Sequence, residues 1–185
     1  MNLEKLYEFN YNSVYNKTEF DPDVVGSEGY GETGYSSIEE LINHYSNYFN
    51  KDTVFYDLGS GLGKIVIHVG IKYDVKKSCG IEYSKERYLK SLELLKNFNH
   101  NQNINFINDN ILNCDLSDAT VIYTDNTLFP TKIDSLIYKL IPKNCLVISR
   151  KQFKDSRLNN ELIKDGFTVP TNYGTNTINT FLKKI

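Results

Sequence analysis

The segment DLGSGLGK, residues 57–64, sets an acidic side chain directly before three alternating glycines. Gly59, Gly61 and Gly63 carry no Cβ, so the backbone can turn tightly there and come close to a ligand. The dinucleotide fingerprint spaces its glycines G-x-G-x-x-G and holds a pyrophosphate at the helix start, whereas here the third glycine comes one residue early. Asp57 before the loop would repel a pyrophosphate and attract an amino group. Glu82 closes GIE, about 20 residues past the loop, where a carboxylate can accept both hydroxyls of a ribose. Asp109 closes IND and is placed to hydrogen-bond an adenine amino group. A ligand with an adenine, a ribose and an amino-acid end satisfies all three acids, and S-adenosylmethionine is such a ligand.

A second constellation lies in VIYTDNTLFP, residues 121–130, where an apolar run ends in Asp125 and Asn126 with Phe129 shortly after. Asp and Asn commonly close strands as turn residues. Alternatively, an acceptor beside an aromatic ring at a strand end can aim and wall an incoming amine. No His/Cys/Asp group has metal-ligand spacing, so no metal is expected. His68 falls inside an apolar helical stretch and is expected to be packed there.

These residues need strands and helices to hold them. VFYD, KSCGIE, INFIN, TVIY and CLVIS are short apolar runs suited to buried strands. KIVIHVGIKY, SKERYLKSLELLKNF and TKIDSLIYKLI carry helical spacing between them. Such alternation predicts an α/β fold, a mostly parallel Rossmann-like sheet with helices on both faces. Ser36 and Glu39 stand at capping-box spacing, predicting a helix over 37–49. One more helix is expected from 159 to about 165. FTV and INTFLKKI are expected to form an antiparallel hairpin at one sheet edge. Residues 1–35 read as a short extension ending in a glycine-rich loop, and 36–185 as the main domain.

The chain has 185 residues, 40% hydrophobic and 24% charged, which suits one globular domain. No run approaches the roughly 18 apolar residues of a membrane span, and MNLEKLYEFN has no secretory pattern. Cys79, Cys114 and Cys145 are odd in number and make no CxxC, so an intracellular setting is expected. Residues 1–50 carry two positive and nine negative charges, against ten and four for 131–185. This polarity either orients a basic or nucleic-acid partner or marks two solvated faces. Arg150, Lys151, Lys154 and Arg157 cluster after the fifth strand, where they could make weak contact with a nucleic-acid backbone.

Four passages resemble the disruptor-of-telomeric-silencing (DOT) family of histone lysine methyltransferases, class I enzymes that lack a SET domain. YGETGY, residues 30–35, resembles the family's Y-G-E-T loop; VFYDLGSGLGK resembles its glycine motif; GIE matches its ribose acid; and VIYTDNTLF resembles its strand ending in N-N-F-A-F. The similarity spans roughly residues 22–153. It implies S-adenosylmethionine as cofactor, S-adenosylhomocysteine as product, and Tyr30 and Thr33 folded over the cofactor's methionine end. It also implies a histone or nucleosome substrate, a monomer, no membrane partner, and a nuclear setting, or a virus factory for a viral version. Asp125, Asn126 and Phe129 take the catalytic positions, with Asp125 replacing an Asn. Asn110 stands where the family usually has a phenylalanine beside the adenine. The late aromatic residue of the lysine channel has no secure counterpart among Tyr173, Thr180 and Phe181. A methyltransferase for a non-histone protein lysine, or a non-catalytic scaffold, would share these motifs.

Overall fold

The computed structural model describes residues 2–8, 32–99, 103–151 and 153, and the later strands at 162–163, 168–171, 174–177 and 179–183. Helix α1 (Leu3–Glu8) precedes α2 (Tyr35–His44). Strands and helices then alternate as β1 (Val54–Leu58), α3 (Lys64–Lys72), β2 (Lys77–Ile81), α4 (Lys85–Leu95), β3 (Ile104–Ile107), β4 (Val121–Thr124), α5 (Thr131–Leu140) and β5 (Cys145–Ser149). The later strands are β6 (Leu162–Ile163), β7 (Thr168–Thr171), β8 (Gly174–Thr177) and β9 (Asn179–Lys183). The main sheet has the order β3-β2-β1-β4-β5-β9-β6. Strands β1 to β5 run parallel, and β9 lies antiparallel to both β5 and β6.

Alternation along each central strand divides the core between two faces. Val54, Tyr56, Leu58 and Ile122 pack with Ile133 and Ile137 of α5. Phe55, Val121, Tyr123, Leu146 and Ile148 pack with Ile38, Leu41 and Ile42 of α2. A third cluster joins Leu6 of α1 to Val66 and Ile67 of α3 and to Leu94 and Leu95 of α4. Burial on both faces explains why these strands read as continuous apolar runs.

Four expectations are corrected. The expected capping box does not form: α2 begins at Tyr35 with Gly34 as its N-cap and no side-chain cap, while Glu39 turns to His68 and Lys72 on α3. That helix stops at His44, and a 3₁₀ turn, Ser46–Tyr48, follows. The helix expected beyond 159 is instead the strand β6 at Leu162–Ile163, paired with β9. So short a helix has little local stability, and the open edge of β9 offers backbone partners. FTV and INTFL do not pair as a hairpin: β7 pairs with β8 in a separate two-stranded sheet, and β9 enters the main sheet beside β5.

Candidate active site

The order β3-β2-β1-β4-β5 reverses direction between β1 and β4, so the ligand crevice of such a sheet opens at their carboxyl ends. Register brings the acidic residues to this edge. Asp57 lies beside Gly80 of β2 and Tyr123 of β4. The Glu82 N–H donates to Ile107 O at the end of β3, and Asp109 follows two residues on. Thr124 pairs with Ser149, which sets Asp125 and Arg150 next to one another beyond the strands.

The glycine loop is shaped by the neighbours it touches. Gly63, the N-cap of α3, has φ 71°, and a Cβ there would lie 2.3 Å from the Phe106 ring. Gly59, at φ 85°, faces Phe129, whose ring would sit 3.4 Å from an added Cβ. Gly63 needs glycine for both its left-handed backbone and its crowded wall, and Gly59 for its left-handed backbone, the Phe129 ring lying at ordinary contact distance. The N–H groups of Gly59 and Ser60 donate to Ile81 O at 2.9 and 3.0 Å. The Gly61 N–H donates to Glu82 Oε2 at 2.8 Å, so the loop is fastened to the second strand and its acid.

Asp57 is 3% exposed, and among the described residues no cation faces it. Burial, reinforced by the negative charges of Glu82 and Asp125, pushes its carboxyl well above the usual carboxylate range. A buried carboxyl with acidic neighbours favours the arrival of a cationic group. Glu82 is raised by burial, against the lowering effect of Arg87 and the N–H groups of Ser84 and Gly61. Ser84 N–H donates to Glu82 Oε1 at 2.8 Å, leaving each carboxylate oxygen a further lone pair for a hydroxyl. Asp109 is exposed and uses Oδ1 for Asn110 N–H and Asn113 Nδ2. Asn110 caps the following 3₁₀ turn through Leu112 N–H at 2.9 Å. These placements suit an amino-acid end at Asp57, a ribose at Glu82 and an adenine beyond Asp109. Thus the residues present fit an adenosyl ligand with an ammonium group.

At TDNTLF the structure combines a turn with a buried anchor. Asp125 Oδ1 accepts from Thr127 Oγ1 at 2.6 Å and from Thr127 N–H at 3.3 Å, while Oδ2 lies 3.6 Å from Arg150 Nε. Asn126 has no exposed surface. Its Nδ2 donates to Asp134 Oδ1 at 3.1 Å and Lys151 O at 3.2 Å, and its Oδ1 accepts from Lys151 N–H at 2.8 Å. Asn126 therefore ties together the ends of β4 and β5 and the start of α5. Phe129 is partly buried against the α5 side of the core.

Thr33 is buried, with its Oγ1 3.2 Å from Tyr123 Oη and accepting from Arg150 Nη2 at 2.7 Å. Arg150 is thus an interior residue, its side chain 2% exposed, rather than part of a nucleic-acid contact. It directly follows a fully buried strand, and that position, rather than its charge, was the signal for an inward side chain. Lys151 donates to Phe129 O at 2.7 Å and lies 3.6 Å from Asp134. Glu32 reaches Lys64 at 2.7 Å and joins the loop before α2 to the start of α3. Tyr30, Lys154, Arg157 and Tyr173 lie outside the described residues; Thr180 and Phe181 fall on β9 opposite Ile148 and Val147.

The fold is that of class I Rossmann-like methyltransferases. An RNA methyltransferase from Salinibacter ruber, solved with S-adenosyl-L-homocysteine, superposes with TM-score 0.65 at 20% identity over 83% of this chain and 94% of that one. A mutant form of MtNAS, solved with S-adenosylmethionine, gives TM-score 0.64 at 14% identity, over 82% of this chain and 63% of that one. More narrowly, the profile described as Histone methylation protein DOT1 matches residues 21–172, and the chain belongs to that family. An H3 lysine-79-specific histone-lysine N-methyltransferase of Drosophila melanogaster is 31% identical over 90 residues, 44% of this chain and 5% of that protein. A protein-lysine N-methyltransferase of Saccharolobus islandicus is 32% identical over 73 residues, 40% of this chain and 45% of that protein. The match thus spans less than half the length of either curated relative.

Proposed function

We propose that the chain is an S-adenosylmethionine-dependent protein-lysine N-methyltransferase that acts on a histone lysine in the nucleosome. The observation that carries this is the buried Asp57 carboxyl at the switch point, flanked by Glu82 and Asp125, in a chain of the DOT1 family. When bound, the cofactor supplies a sulfonium methyl group, which the lysine nitrogen takes by in-line displacement, leaving S-adenosylhomocysteine. Asp57 binds the cofactor's ammonium, Glu82 its ribose and Asp109 its adenine amino group. Asn110, the three glycines and the loop bearing Tyr30 and Thr33 complete the enclosure. Residues 1–35 act as its covering segment and 36–185 as the catalytic domain. A nucleosomal substrate carries a nuclear setting with it.

For transfer, the lysine amine must be neutral, although its free pKa of about 10.4 keeps it charged at neutral pH. An apolar wall lowers that pKa by desolvation, and Phe129 against Gly59 supplies one side of it. Asp125 accepts a hydrogen bond from the amine and aims its lone pair, while Arg150 at 3.6 Å tempers the carboxylate's preference for the ammonium form. Asn126 serves by fixing the turn that presents both. The name of the Saccharolobus relative favours a second reading, in which the target lysine belongs to a non-histone protein.

Asp125→Ala tests the amine role. It is expected to lower kcat/KM for the protein substrate about 10- to 100-fold, with S-adenosylhomocysteine affinity little changed in calorimetry. Asp125→Asn keeps both the acceptor and the turn cap and is expected to retain most activity. Unchanged turnover and substrate affinity in Asp125→Ala would reduce this residue to a turn former.

A further inference from the structure

Tyr7 lies on α1, outside the residues 21–172 that the family profile matches, and no role described above uses it. It is partly buried and packs against two core clusters. Its neighbour Leu6 is fully buried among α3 and α4 residues, and its own ring meets Tyr35 edge-on at 5.7 Å. The Tyr7 hydroxyl lies 2.9 Å from His68 Nδ1, and His68 Nε2 lies 2.6 Å from Glu39 Oε1. The other Glu39 oxygen bonds Lys72. His68 has no exposed surface, and its ring stacks on Tyr35 at 5.3 Å and on Tyr73 at 6.2 Å. The groups that face it are therefore Tyr7 from α1, Tyr35 and Glu39 from α2, Lys72 on its own helix and Tyr73 just beyond.

The hydrogen positions follow from this sequence of partners. Burial acts to raise the Glu39 carboxyl, but its bonds to Lys72 and His68 outweigh that and hold it below the usual range, so it accepts only. Burial also pushes His68 below its ordinary value, against the pull of Glu39, and favours the neutral ring. Nε2 then carries the hydrogen toward Glu39, which leaves Nδ1 as an acceptor for the Tyr7 O–H. The Tyr7 oxygen keeps only lone pairs for any further partner. Asp57 lies opposite Tyr123 in the β1–β4 register, and Phe55, two residues before it on β1, packs with Tyr123 and Tyr7 on the sheet face shared with α2, so Asp57 looks onto the face that carries Tyr7.

We infer that Tyr7 is a second anchor for the ammonium of the cofactor's amino-acid end, its hydroxyl turned into an acceptor by the His68–Glu39 pair. This rests on the cofactor assignment made above. Asp57 supplies the charge and Tyr7 an oriented lone pair, so the ammonium is held from two elements far apart in sequence. His68 and Glu39 are positioning residues that act through Tyr7.

Calorimetric titration of wild type and Tyr7→Phe separates this role from simple packing. Two probes are used: S-adenosylhomocysteine, and 5′-methylthioadenosine, which shares the adenosine and thioether but has no amino-acid end. Tyr7→Phe is expected to weaken S-adenosylhomocysteine about tenfold and leave 5′-methylthioadenosine within about twofold. In wild type the preference for S-adenosylhomocysteine should also decline as pH falls through the His68 pKa, below the ordinary value of about 6.5. An imidazolium donates from both nitrogens and turns the Tyr7 hydrogen toward the ligand. Protonation of Asp57 would act on both proteins, so the part of the decline absent from Tyr7→Phe reports His68. Equal S-adenosylhomocysteine affinity in the two proteins, or an equal loss of both probes, would overturn the Tyr7 role alone. Failure of wild type to bind either probe would overturn the cofactor assignment, and this inference with it.

Discussion

Asp57→Asn is expected to weaken S-adenosylmethionine binding about 100-fold or more while raising the melting temperature of the ligand-free protein. The two effects share one cause. Burial, with Glu82 and Asp125 adding to it, raises the Asp57 carboxyl well above the usual range. With a folded-state pKa above the unfolded value of about 3.9, the stability contribution is fully present below that unfolded value. It is then lost as pH rises through the folded-state pKa. The uncharged Asn has no such loss, so the variant should melt above wild type at neutral pH and converge with it in acid. The same carboxylate is what an ammonium ligand pairs with, so removing it costs affinity. Calorimetry for binding and thermal melts across pH check both halves. Unaltered affinity, or a lower melting temperature at neutral pH, would show that Asp57 is a structural carboxyl with another partner.

Asn126→Ala is expected to act in the opposite sense, with a large loss of stability. The side chain is fully buried and makes three bonds that join β4, β5 and α5. Alanine would leave the Lys151 N–H and the Asp134 carboxyl without this partner at a cost of about 2–4 kcal/mol. The turn that carries Asp125 and Phe129 thereby loses its fixed position, and turnover should fall with stability. Urea unfolding read beside kcat separates the two effects. A variant with wild-type stability and no turnover would move Asn126 from the scaffold into contact with substrate.

Strand ends were the most legible part of the sequence. β1 to β5 are short, largely apolar runs, and an acid at or just past the end of such a run reaches the carboxyl edge of the sheet by strand length alone. This is why Asp57, Glu82, Asp109 and Asp125 could be placed from local pattern. Features set by distant partners were not legible. Arg150 read as one member of a basic surface cluster, yet it is drawn inward by Thr33, 117 residues earlier, and by Asp125. Leu162 and Ile163 read as helical because only the edge of β9 makes them a strand. Glu39 matched a capping box locally, but a buried histidine and a lysine on α3 offer it stronger partners. His68 was expected to be packed, and it is; the Tyr7 and Glu39 that flank it come from segments 61 residues and 29 residues away, beyond any local pattern.

The most direct measurement is methyl transfer from radiolabelled S-adenosylmethionine to intact nucleosomes and, separately, to free core histones, with Gly61→Arg as the blank. Gly61 has φ 55° and donates its N–H to Glu82, so arginine there strains the glycine loop and crowds the proposed cofactor site, and a thermal melt of the blank checks that it is folded. Label on a histone band with wild type and none with Gly61→Arg is the predicted result, and mass spectrometry then locates the lysine. Cofactor binding by wild type with no label on any histone, nucleosomal or free, would contradict the histone-lysine assignment.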